Sequence, residues 1–179
     1  AITNVKHGWT RVAGPFIATK VSGNAIQELN WEPAGTFYRD EVAKLSPELR
    51  DKPVFPYLNS TYPLSTGKQS AEDVVRDPID INDDDEIVAL SESTENSAIY
   101  IVKGDQDSLI NAARQATREC FTEEAIHSCF VSDCFSRALM LQDKFELELR
   151  SVGEVLKEFS DCTVEGVLAL GEVCGNEQS

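Results

Sequence analysis

An α+β fold, a mixed and largely antiparallel sheet flanked by helices, follows from three features of the sequence. Two strand-like segments, Arg11 to Val21 and Ala25 to Trp31, are separated only by Ser22-Gly23-Asn24, and strands joined this tightly pair antiparallel. Three further short apolar runs follow between Val74 and Val102. Helix–strand alternation sets in only in the last third, which is too little for a doubly wound parallel sheet. No internal repeat and no heptad run is visible.

Each element has a local reason. Gly23-Asn24 suits a hairpin turn. Pro33 suits the first position of a helix, and Ala34, Phe37, Tyr38, Val42 and Leu45 then recur at helical spacing on one apolar face. Ser46-Pro47 reads as a cap and a second helix start. From Asp51 to Gln69, three prolines, several Ser/Thr and Gly67 predict a loop with a short extended piece at Tyr62-Pro63-Leu64. Val74-Val75, Ile87 to Leu90 and Ala98 to Val102 are strands, with Asp83-Asp84-Asp85-Glu86 as the turn between the first two.

Leu109, Ile110, Ala112, Ala113, Ala116 and Cys120 share a helix face, with Asp107 as N-cap. Ala125 to Ser132 reads as a strand, followed by the apolar segment Ala138-Leu139-Met140-Leu141. Phe145, Leu149, Val152, Leu156 and Phe159 define another helix, its outer face supported by Glu146 to Arg150. Val164 to Val173, flanked by Gly166 and Gly171, is the last strand.

The chain has 179 residues, with 31 acidic against 16 basic side chains and a net charge of −15. At about 100–200 residues per domain this is one domain, or one with a fragment of another. The acidity argues against a nucleic-acid surface and against an anionic membrane surface, since both need clustered Lys and Arg. It is concentrated: Glu72 to Glu95 hold ten acids and one base, Arg76. No apolar run approaches the roughly 18 residues of a membrane span. The N-terminal Ala1-Ile2-Thr3-Asn4-Val5-Lys6 lacks the pattern of a signal peptide and an initiator Met, so a piece of a longer chain is expected. Five cysteines (Cys120, Cys129, Cys134, Cys162, Cys174) without C-x-x-C predict free thiols, no zinc site and a reducing cytoplasm. The sequon Asn59-Ser60-Thr61 is discounted, because three-residue matches are common by chance.

Several chemistries fail on inspection. Asp80-Ile81-Asn82-Asp83-Asp84 opens like an EF-hand loop, but its sixth position is Asp85 and its twelfth Ser91. A solvated acidic turn is the expectation there. Gly67-Lys68-Gln69 lacks the first Gly and the Ser/Thr of a P-loop. G-x-G-x-x-G and G-x-S-x-G are absent. A dyad of His127 with Cys129 would use two residues on one strand face, against a structural role for His127. No motif demands an enzyme, a metal or another cofactor.

Two groups of segments together resemble a known family. Gly8-Trp9 through Gly14-Pro15, Thr19-Lys20, Gly23-Asn24, Leu29 and Pro33-Ala34 to Tyr38 resemble the end of the first half of FIST-type sensory proteins. Tyr62-Pro63-Leu64, Val75-Arg76 with Ile79-Asp80, the strands ending at Val102 and the Ala-rich helix resemble their C-terminal half, the FIST C domain. So do Cys134-Phe135-Ser136-Arg137 and Gly166 with Gly171-Glu172-Val173. The resemblance implies residues 1–45 as the tail of an N-terminal half-domain and 46–179 as a FIST C-like domain. It also implies a further strand beyond Gly171-Glu172, and with it an incomplete ligand site in this chain.

What the resemblance implies functionally is a non-enzymatic, cytoplasmic sensor domain of bacterial signalling. It would bind a small, amino-acid-like ligand and signal to an attached or partner output domain. The matching positions fit such a ligand. Arg137 or Arg76 can hold a carboxylate in a bidentate fork, and Glu172 can meet an ammonium. Gly171 and Gly166 admit close backbone approach, and Cys134 is a small wall residue. Against these stand plainer roles: Arg76 pairing with Asp73, Asp77 or Asp80, Arg137 stapling the segment that follows it, Glu172 bonded to backbone, and Cys134 in the core. Two other functions remain alternatives, a protein-interaction or adaptor module with an exposed apolar patch, and a thiol redox sensor using Cys129 and Cys134.

Overall fold

The computed structural model describes residues 2–68, 71–121 and 126–170. It divides into two compact units, one of Thr10–Lys103, the other of Ala1–Trp9 with Gly104–Ser179. The fold is α+β. The boundary expected after residue 45 falls inside the first of these units, at the end of a helix.

The Thr10–Lys103 unit is built on strand β1 (Thr10–Ser22), which turns through Gly23-Asn24 into β2 (Ala25–Leu29). A two-residue strand, β3 (Glu32–Pro33), leads into helix α1 (Ala34–Leu45). The stretch expected to be a loop contains a kinked turn at Val54–Leu58, with Phe55 in extended conformation, and a short helix, α2 (Asn59–Thr61), before β4 (Leu64–Thr66). Val54 and Leu58 are buried there, and their burial anchors a segment whose prolines argue for loop. Strands β5 (Val74–Arg76), β6 (Pro78–Ile81), β7 (Ile87–Ala89) and β8 (Ala98–Lys103) complete the unit. The sheet order is β5-β4-β8-β1-β2-β7-β6, with β3 on β2, and every pairing is antiparallel.

Its core joins Ala18, Ile26, Leu29, Tyr38, Val42, Leu58, Tyr62, Leu64, Ile87, Ile99 and Ile101. Burying such side chains contributes about 1.5–3 kcal/mol each. The polar ends of its tyrosines are satisfied: Tyr38 Oη donates to the Tyr62 carbonyl at 2.7 Å, and Tyr62 Oη meets Ser46 Oγ at 2.8 Å. Burial raises the Tyr38 phenol well above its ordinary value.

The acidic turn has a structural task in this unit. Pro33 offers no side-chain cap to α1. Asp85 supplies one instead: its carbonyl accepts from Gly35 N at 2.8 Å and its Oδ2 from Thr36 N at 3.0 Å. A carboxylate at a helix N-terminus satisfies orphan N–H groups and meets the positive end of the helix dipole. Glycine at position 35 makes room for this, since a Cβ there would press on Asp85 Oδ1 and on Ile81 Cγ2. Asn82 closes the turn, its Oδ1 accepting from Asp84 N and Glu86 N. The expectation of a merely solvated turn is corrected here, because solvated side chains would not reach back to a helix 49 residues away.

The other unit begins with helix α3 (Gln106–Glu119). Its N-cap is Asp105, not Asp107: Asp105 Oδ1 accepts from Ser108 N at 2.7 Å while Ser108 Oγ accepts from Asp105 N at 3.0 Å. The reciprocal pair needs a polar residue three positions on, which Asp105 has in Ser108. Strand β9 (Cys129–Cys134) runs into α4 (Phe135–Leu141), then α5 (Phe145–Lys157) and β10 (Val164–Ala169). β9 and β10 pair in parallel, Val164 opposite Cys129 and Ala169 opposite Cys134. Leu109, Leu141, Val152, Val155 and Leu156 are buried in this unit. No helix of the described residues is long and apolar enough to cross a membrane.

Candidate ligand site

The chemistry that stands out lies where β9, α4 and α5 meet. Side chains alternate across a strand, so Val131 and Asp133 of β9 share a face, and the register sets Gly166 and Leu168 of β10 beside them. On α5, Phe145, Glu148, Leu149 and Val152 recur at helical spacing. Between the two surfaces is a cavity of about 330 Å³, lined by Val131, Asp133, Phe145, Leu149, Val152 and residues 164–168 of β10. Glycine at 166 is required by close strand approach, because a Cβ there would collide with the Val131 carbonyl.

Beside the cavity sits a cluster of buried charge. Arg137, in the first turn of α4, donates through Nε to Glu148 Oε1 at 2.7 Å and through Nη1 to the His7 carbonyl at 2.8 Å. Its Nη2 bonds the Leu109 carbonyl and also lies against Glu148 Oε1. Glu148 is 1% exposed, and its Oε2 has no hydrogen-bond partner among the described residues. Asp133 Oδ1 accepts from Cys134 N at 2.8 Å and stands 3.7 Å from Arg137 Nε. One guanidinium thus faces two carboxylates. Burial raises both acids above the ordinary carboxylate range, against the opposing pull of Arg137.

The expected site residues are distributed as follows. Arg137 and Cys134 lie three residues apart, and the arginine fork is engaged within its own unit in the way a staple would be. Cys134 ends β9 on the face opposite Asp133, so it does not share the cavity face. Gly171 and Glu172 lie outside the described residues. Arg76 is on β5, in the other unit, and donates from Nη1 to Ser91 Oγ at 2.9 Å. Among the described residues its Nε is buried without a hydrogen-bond partner and no carboxylate pairs with it; burial lowers its pKa. Asp73, one expected partner, is held instead by Arg11 Nε at 2.7 Å and by Ser65 Oγ at 3.2 Å.

Two other expectations are corrected. The strand starts at Cys129, leaving His127 exposed in the segment before it, so the two do not share a strand face. Cys129 and Cys134 occupy opposite ends of β9. At about 3.3 Å of rise per residue their Cα atoms are about 16 Å apart, far beyond disulfide reach. Burial, and then the nearby Cys162 thiol, push the Cys129 thiol upward, away from reactivity. Among the described residues no group of three or more His, Cys, Asp or Glu side chains could hold a metal ion.

Comparison with protein families places this arrangement. A model of the FIST C domain matches residues 34–175, most of both units. The chain belongs to the FIST C domain family. The FIST C match begins upstream of the boundary expected after residue 45 and covers the whole of the cavity together with Asp133, Arg137 and Glu148. FIST C domains are sensor-type domains, and a signalling role follows for this one. Comparisons with curated proteins and with solved structures gave no match.

Sequence reasoning found Arg137 but missed Asp133 and Glu148. For Glu148 a signal was present: it stands three residues after Phe145 and four before Val152, on the apolar face of its helix. An acid at such a position is either paired or neutralised. Asp133 carried no such signal, because apolar and polar side chains fall on both faces of Cys129–Cys134, so the residue types mark no buried face.

Proposed function

We propose that this FIST C domain is a cytoplasmic sensor that binds a small, amino-acid-like ligand and passes the signal to an output domain or partner protein, without catalysing a reaction. The observation that carries this reading is the cavity of about 330 Å³ between β9, β10 and α5. It stands at the small end of ordinary ligand pockets, which run from about 300 to 1,000 Å³. Its walls are mainly apolar, with the partly buried Asp133 carboxylate among them. A ligand that bridges α5 and the β9–β10 pair would favour conformations in which they are closed together, and would shift the population accordingly.

A thermal-shift screen of the chain against amino acids and related metabolites tests the reading. A ligand at 100 times its dissociation constant stabilises by about 2.7 kcal/mol, which is readily detected. A flat response across the panel would remove it.

An interaction module is favoured by a different observation. On the β9 face opposite Val131 and Asp133, Phe130 is 67% exposed, whereas parallel strands ordinarily have both faces covered. In the sensor reading this face is where the output partner binds. If Phe130→Glu leaves ligand binding intact and abolishes signalling, both roles belong to one domain.

A further inference from the structure

We propose that the β9–β10–α5 cavity recognises a protonated primary amine with a compact apolar body, its ammonium held by Asp133 and its body packed against Phe145, Leu149 and Val152. The proposal rests on the sensor reading and sharpens it: the recognised group is the ammonium, and a carboxylate on the ligand is not needed.

Four observations lead there. First, Asp133 lines the cavity with its side chain only 12% exposed, and its Oδ1 accepts a hydrogen bond from Cys134 N. Second, Arg137 does not satisfy it. The guanidinium is turned to Glu148 and to the carbonyls of Leu109 and His7, leaving Asp133 at 3.7 Å, beyond hydrogen-bond distance. Third, Asp133, Glu148 and Glu165 are set against one arginine in and around the cavity, so the local field favours a cation and opposes a carboxylate. Arg137 is therefore a poor seat for the carboxylate of an amino acid, despite its fork. Fourth, a bare metal ion is poorly served, because the described residues gather no third ligating side chain there. An ammonium needs one carboxylate and tolerates apolar walls around the carbon that bears it, which is what the cavity supplies.

The test uses three isosteres on the whole chain, followed by calorimetry or by melting temperature: 3-methylbutylamine, 3-methylbutan-1-ol and 4-methylpentanoate, with leucine alongside. The amine is expected to bind saturably and at least about tenfold more tightly than the alcohol or the acid, as loss of one charge-assisted hydrogen bond implies. Asp133→Asn is expected to lower amine affinity by a similar factor without changing alcohol binding, and Leu149→Trp to exclude all the compounds by filling the space. Equal affinity for amine and alcohol overturns the proposal, and this comparison holds on the unmodified protein even if Asp133→Asn fails to fold. Undiminished amine binding by a folded Asp133→Asn variant overturns it as well. If leucine binds and the amine does not, the amine proposal falls while the sensor reading stands. If nothing in the wider amino-acid panel binds, both fall.

Discussion

The two units handle charge in opposite ways. In the Thr10–Lys103 unit the acids work at the surface and at helix ends: Asp85 caps α1, and Asp73 takes a bidentate clamp from Arg11, with the guanidinium stacked 3.8 Å over the Tyr100 ring. Its core is closed and almost wholly apolar. In the other unit an arginine and two acids are drawn inside, one carboxylate oxygen has no partner among the described residues, and a cavity lies beside them. Buried ion pairs are weak contributors to stability, because desolvation offsets most of the attraction. A unit that keeps such a cluster and a cavity carries features that stability alone does not account for, and the proposed ligand site lies there for that reason.

The sharpest way to break the contrast is to remove Arg137. Arg137→Met leaves Glu148 buried without its counter-ion and is expected to cost about 3–5 kcal/mol in urea unfolding. Arg137→Met combined with Glu148→Leu is expected to recover most of that. Should the single variant cost less than about 1 kcal/mol, the buried cluster is no different in kind from the surface pairs, which are worth about 0–1 kcal/mol. Next in size, Gly35→Ala forces a methyl group between α1 and the acidic turn and is expected to cost about 1–3 kcal/mol. Asp85→Ala removes the cap alone and is expected to cost about 1 kcal/mol. If both variants are neutral, the acidic turn is solvent-facing decoration after all.

The smallest effect is in the pH profile, where the two units have opposite signs. Arg11 holds the Asp73 carboxyl below its ordinary value. Its contribution is therefore present above the unfolded aspartate pKa and is lost as pH falls through the lower native one. Burial raises Asp133. Its contribution is present below the unfolded pKa and is lost as pH rises through the higher native value. Stability measured from pH 3 to 7 should accordingly lose its acid-side fall in Asp73→Asn and lose part of its decline above the ordinary aspartate range in Asp133→Asn. Identical profiles for both variants and the wild type would remove the distinction.

Periodicity in the sequence was sufficient for the three longer helices and for most strands, because each presents several apolar residues at a fixed spacing. It failed where long-range packing overrides local pattern. β6 went unrecognised because Pro78 and Asp80 break its alternation, yet pairing with β7 holds it extended. The kinked turn and short helix at 54–61 are anchored by buried Val54 and Leu58 in spite of two prolines at 53 and 56. The motif Cys134-Phe135-Ser136-Arg137 follows directly on Asp133, which lines the cavity. The acids that give that neighbourhood its character did not stand out, since what distinguishes Glu148 from its exposed neighbour Glu146 is burial, and burial belongs to the fold.

The cap on helix α1 also bears on the order in which the chain assembles. Asp85 reaches Thr36 across 49 residues, so the first turn of α1 is complete only after the β6–β7 hairpin has closed and docked. Contacts of such sequence separation form late, because the loop between them must first be ordered. The Asp85 cap should then be absent from the folding transition state. Asp85→Ala would accelerate unfolding and leave the folding rate nearly unchanged, which makes the acidic turn a latch on the native state: it acts on how long the unit stays folded and has little influence on how it gets there.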